Sequence, residues 1–221
     1  MFPAVWPERV KLAGLFFFMG KMANDRLILF IDSQNVYKNA RDAFFDRADH
    51  HTKGQINPIA FGDLICKRTR PMTPILHQVR VYCGQPDPAK EPKTYAANAR
   101  QRGVWAKMGA EVISRPLRYP ADWPLSRAQE KGVDVALAVD FVTMAVNGDY
   151  DFGVIASTDS DLRPALEFVE KYYPNTIKIA VTAWKSEKLK TRLSVRGSRI
   201  WCHYFGQDDY DILTDTTDYA R

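Results

Sequence analysis

The chain has 221 residues, 46% apolar and 26% charged, with a net charge of +5. These totals describe a soluble globular protein built on one sizeable domain, and the positive balance favours polyanionic partners at long range. Three scattered cysteines, Cys66, Cys83 and Cys202, form no CxxC pair, which excludes zinc-ribbon and thioredoxin-like chemistry and makes a reducing cytoplasm the expected setting.

Residues 1–24 read as an N-terminal extension. The apolar run LAGLFFFMG (12–20) is preceded by Arg9 and Lys11, yet it is about half the ~20 residues that span a bilayer. It lacks an A-x-A cleavage site, so an upstream extension is favoured over an export signal, with Met19 and Met22 as alternative starts. No membrane partner is expected.

From there strand-like and helical patterns alternate. RLILFID (26–32) reads as a buried strand and 33–45 as a helix with Val36, Ala40 and Phe44 at helical spacing. The polar stretch 46–57 is a loop, and 58–69 a short helix opened by Pro58. A second strand (75–84) is followed by a turn-rich segment and a helix over 93–109, ended by Gly109. The third strand is placed at 110–119, with Pro116 near its end, and an amphipathic helix at 131–148. The fourth strand (152–158), a helix (161–173) and the fifth strand (177–184) come next. The basic stretch KSEKLKTRLS (185–194) reads as helical, 199–205 as a last strand, and 207–221 as an acidic tail beyond a domain over 25–206. This alternation predicts an α/β fold, a three-layer α/β/α sandwich with a mainly parallel sheet and ligands at the carboxyl ends of its strands.

Four aspartates fall where that fold places chemistry. Asp32 ends the first strand, Asp159 and Asp161 follow the fourth, and Asp134 opens the helix between. Each alone also reads as a helix cap or a partner of the helix dipole. Together they come from three elements to one sheet edge, where clustered carboxylates repel unless a cation joins them. All-oxygen ligands suit Mg²⁺ or Mn²⁺, and such ions serve phosphodiester hydrolysis. Asn35, one turn into the first helix, and Lys131, three residues before Asp134, are candidates to position a phosphate. So are Ser157 and Thr158 at the next helix start. Asp140 either joins the acids or faces solvent. The basic stretches 93–102 and 185–199, and Tyr119 and Trp123, are candidates for nucleic-acid contact or, alternatively, for ordinary surface. His50 and His51 have no partner at metal-ligand spacing.

LILFIDSQNVY, KGVDVALAVDFV and FGVIASTDSDLRPAL, in this order and spacing, resemble the NYN domain of the PIN-like nuclease superfamily, with the LabA/DUF88 type of bacterial proteins most similar. The resemblance covers about residues 26–184. It implies a Rossmann-like, PIN-like fold and a Mg²⁺- or Mn²⁺-dependent endoribonuclease acting on single-stranded or structured RNA. Carried over, Asp32 matches the first-strand acid and Asn35 the asparagine of D-x-x-N. Asp134 matches the acid of K-G-x-D, and Asp159 and Asp161 match S-x-D-x-D. Ser33, Thr158 and Leu162 depart from residues usual in the family; these changes spare every carboxylate and bear on substrate preference. Two other functions stay open: a catalytically weak RNA-binding or regulatory module of the same fold, and a metal-dependent phosphoesterase acting on DNA or a small phosphate ester. A homodimer and unidentified protein partners stay open as well. The absence of a G-x-x-x-x-G-K-[ST] loop argues against a GTPase or kinase.

Overall fold

Apolar residues at consecutive positions of β1 (Arg26–Asp32) require that both faces of the strand be covered. In the computed structural model, which describes residues 25–221, they are. Leu27, Leu29 and Ile31 enter one core and Ile28 and Phe30 the other. Beside β1 lie β2 (Ile75–Gln85), β3 (Glu111–Pro116), β4 (Phe152–Ala156), β5 (Lys178–Trp184) and β6 (Trp201–Phe205). All pairings are parallel, in the order β3-β2-β1-β4-β5-β6.

Helices α1 (Ser33–Phe44), α2 (Pro58–Arg68) and α3 (Pro92–Lys107) cover the first face. Helices α4 (Val133–Asn147) and α5 (Arg163–Tyr172) cover the second. Glycines set the ends of α4: Gly132 (φ 76°) and Gly148 (φ 72°) are both left-handed, a conformation other residues adopt at a cost. The α/β class and the parallel sheet covered on both faces are thus as the alternation predicts, and the Rossmann-like, PIN-like layering is as the family resemblance implies. The chain runs from β1 outward to β3, then returns to β4 and runs outward to β6. The adjacent carboxyl ends of β1 and β4 are therefore the topological switch point, where such folds bind ligands.

Two segments differ. Residues 185–194 are not helical. A helix would set Leu189 and Leu193 on the same face, but Leu189 packs against the first core and Leu193 is buried in the second. The segment instead crosses between the layers as turns, with Ser186 Oγ accepting from the Lys188 and Leu189 backbone N–H groups.

The acidic segment after β6 forms α6 (Gln207–Leu213), with Tyr210 and Leu213 buried in the first core. No helix among the described residues is long and apolar enough to cross a membrane. The expectations for residues 1–24 lie outside the described residues.

Candidate active site

Parallel pairing of Ile31 with Ala156 brings the next residues, Asp32 and Ser157, side by side. Asp32 is only 7% exposed. Its Oδ1 accepts the Asn35 backbone N–H at 3.1 Å, capping α1, and its Oδ2 accepts the Ser157 hydroxyl at 3.2 Å. Ser157 Oγ accepts in turn from the Asp159 backbone N–H (3.1 Å), and Asp159 Oδ1 from the Asp161 N–H (3.0 Å). Hydrogen bonds thus run without a break from the end of β1 to the turn after β4.

Burial raises the Asp32 pKa, the Asn35 and Ser157 hydrogen bonds oppose that rise, and the charges of Asp159 and Asp134 add to it. Asp134 stands in the first turn of α4, half-buried, as is Asp159, while Asp161 is exposed at the rim. Among the described residues no Lys, Arg or His forms an ion pair with any of the four.

A fifth carboxylate belongs to the group. Glu130, not singled out in the sequence, is half-buried, and its Oε1 accepts the Gly84 N–H at 2.7 Å. Burial raises its pKa, the Gly84 bond and the charge of Lys38 lower it, and the charges of Asp32 and Asp134 add to the rise. Its position directly before the K-G-x-D motif was the available signal. A Cβ at 84 would lie 2.7 Å from Glu130 Oε1 and overlap Leu117, so both side chains would have to move. Gly84→Ala is accordingly expected to destabilise the fold by about 1–3 kcal/mol as Leu117 and Glu130 are displaced, measurable by equilibrium denaturation.

The other named residues divide. Asn35 Oδ1 accepts from the Thr158 N–H (2.9 Å), the Thr158 hydroxyl (3.2 Å) and Asn39 Nδ2 (2.8 Å), so Asn35 and Thr158 lock α1 to the turn after β4. Lys131 is exposed just before α4. Asp140 stays apart from the acids: it accepts from Tyr82 Oη and from Arg80 Nη2, each at 2.8 Å. Tyr119 packs edge-on against Trp123, 4.9 Å between centroids. His50 and His51, without partners in sequence, meet Asp218, and His51 Nε2 lies 3.0 Å from its Oδ1.

The donor set can be tested against a divalent metal. Among the described residues the group of three whose donor atoms all lie within 4.8 Å of one another is His50, His51 and Asp218, not the acids. Mutual repulsion holds uncompensated carboxylates apart, and Mg²⁺ retains several waters rather than demanding an all-protein cage. A buried carboxyl, like-charged neighbours and purely oxygen donors fit a hard cation.

Comparison with known proteins gives a fold and a family. No curated protein matches the chain. A solved structure, that of a protein of unknown function, VPA0982 from Vibrio parahaemolyticus RIMD 2210633, shares its fold: TM-score 0.51 and 19% identity, covering 75% of this chain and 85% of that one. The model of the NYN domain family matches residues 26–194, a span holding every acid described here except Asp218. The chain belongs to the NYN domain family.

Proposed function

We propose that the chain is a Mg²⁺- or Mn²⁺-dependent endoribonuclease that hydrolyses RNA phosphodiester bonds at the carboxyl ends of β1 and β4. The observation that carries this reading is Asp32, a buried carboxyl pressed upon by Asp134 and Asp159 and paired with no cation of the described residues. Family membership supports a nuclease.

Asp32, Asp134, Asp159 and Asp161 would hold the ion, with Glu130 beside them. A bound Mg²⁺ or Mn²⁺ supplies positive charge at the phosphate and activates the attacking water. Ser157 fixes Asp32 and Asp159 relative to one another through its single hydroxyl. Asn35, by holding Thr158, sets the path of the turn that carries Asp159. Lys131, exposed beside Asp134, offers a charge to a non-bridging phosphate oxygen. Glu130, held by the Gly84 N–H, would add a further carboxylate at the edge of the ion site.

The test is cleavage of labelled RNA and DNA strands by wild type and Asp159→Asn, with Mn²⁺, Mg²⁺ or EDTA. Cutting of RNA that requires the metal and falls at least about a hundred-fold in the variant is the expected result. RNA bound equally in EDTA and never cut would replace the enzyme with a binding module. Preferential cutting of DNA would move the reading to a DNA phosphoesterase.

A further inference from the structure

β6 is an edge strand with exposed aromatic residues. Trp201 is 65% exposed and Tyr204 40%, whereas Cys202, His203 and Phe205 are buried. Alternation along the strand puts Trp201, His203 and Phe205 on one face. Their rings form a ladder, with centroids 6.2 Å apart at the first step and 6.4 Å at the second. The ladder begins in solvent at Trp201 and ends in the core at Phe205.

Cations lie about both faces of this edge strand. An open cavity of about 620 Å³ is lined by Arg68, Arg192, Arg199, Trp201, His203 and Tyr204, among others, and no carboxylate of the described residues lines it. Arg68 lies 5.0 Å from the Phe205 ring centroid, and Lys185 Nζ 5.4 Å from that of Tyr204. Asp209 pairs with Arg68. Arg192 lines this cavity together with Cys202, and neither it nor Arg199 forms an ion pair with a carboxylate among the described residues. His203, 5% exposed, keeps an Nε2 with no hydrogen-bond partner. Burial, then Arg68, lowers its pKa to about 4, so it adds a neutral polar atom rather than a charge.

We propose that the β6 edge, with Trp201 as stacking platform and Arg192 and Arg199 as phosphate contacts, binds single-stranded nucleic acid. Stacking on an exposed indole needs an unpaired base with a free face, and guanidinium groups suit the phosphates between bases. A duplex buries its base faces and cannot use Trp201. A second copy of the chain is the poorer occupant. A two-fold contact along β6 brings each patch against its own equivalent and sets arginine against arginine.

Binding of fluorescein-labelled oligo(U), oligo(A) and a matching duplex tests the proposal, by anisotropy across a salt series in EDTA. The full chain is compared with Trp201→Ala, Trp201→Phe and Arg199→Ala. Trp201→Ala is expected to weaken single-strand binding about ten-fold or more and to leave duplex binding unchanged, with Trp201→Phe recovering most of the loss. Arg199→Ala should reduce the slope of log K against log salt by about 0.7. Trp201 is exposed enough that its loss should leave the melting temperature unaltered.

Equal single-strand binding by wild type and Trp201→Ala overturns the proposal. So does a concentration-dependent dimer that Trp201→Ala abolishes without changing RNA affinity, which would make the edge a self-association surface. EDTA keeps the result separate from the chemistry of the acidic edge. RNA held through Trp201 but never cut in metal keeps this surface and removes the nuclease. Metal-dependent cutting with Trp201→Ala binding like wild type does the reverse.

Discussion

Asp32→Asn is expected to reduce metal-dependent RNA cleavage about a thousand-fold or more while leaving the metal-free protein at least as stable as wild type at neutral pH. Loss of activity follows from removing the central charge of the proposed metal site, where the ion supplies several kcal/mol of transition-state stabilisation. Retained stability follows from the direction of the Asp32 pKa, which burial and the neighbouring acids raise above 3.8. The folded chain then binds this proton more tightly than the unfolded chain does. Its contribution to stability is greatest at acid pH and is lost as pH rises from the unfolded pKa through the raised folded one. Asparagine cannot ionise, so the variant should show a flatter profile of melting temperature against pH in EDTA. It keeps an amide oxygen to cap α1 and an amide nitrogen to meet Ser157. Mn²⁺ should raise the wild-type melting temperature and shift the variant little. A variant that melts well below wild type in EDTA would show that Asp32 is a structural anchor, and the reading of a destabilised site would fail.

Tyr210→Ala should carry the largest stability cost, about 3–5 kcal/mol, a large share of the roughly 5–15 kcal/mol by which domains are stable. Tyr210 is 2% exposed, and its ring lies 5.0 Å from Phe45 and 5.8 Å from Phe44 and from Trp184. Its hydroxyl accepts from the Gly54 N–H at 2.7 Å and donates to the Gln55 carbonyl at 3.3 Å. Trp184 Nε1 in turn donates to the Val36 carbonyl, so this aromatic group also seats α1, the helix that Asp32 caps. Tyr210→Phe keeps the ring contacts and strands the Gly54 donor, for about 1–3 kcal/mol. Chemical denaturation of the two variants separates ring from hydroxyl. A Tyr210→Ala loss below about 1 kcal/mol would mean that α6 is detachable from the core.

Composition conceals that role. Five aspartates in QDDYDILTDTTDYAR read as a solvated tail, and two apolar residues three positions apart are too weak a periodicity to override them. The acids in fact suit a helix start: Asp208 and Asp209 occupy the first turn, and Asp209 accepts the Gly206 N–H at 2.9 Å. A helix of seven residues is not stable by itself, so its existence depends on the pocket that receives Tyr210. The basic stretch 185–194 is the converse case. Its local helical propensity is real, but Leu189 and Leu193 are drawn to opposite faces of the sheet, and tertiary burial overrides propensity.

The alternation of buried strands and amphipathic helices, the parallel sheet and the positions of Asp32, Asp134, Asp159 and Asp161 at element ends are legible in the amino-acid pattern alone. Those features depend on periodicity, caps and breakers, which act over a few residues. Which acids meet depends on the packing of the whole chain. The order β3-β2-β1-β4-β5-β6 brings Ser157 to Asp32 across 125 residues, seats Glu130 beside them through Gly84, and turns Asp140 away to Arg80 and Tyr82. Residues on different strands become neighbours only through the packing of the whole sheet, and no local pattern records that order.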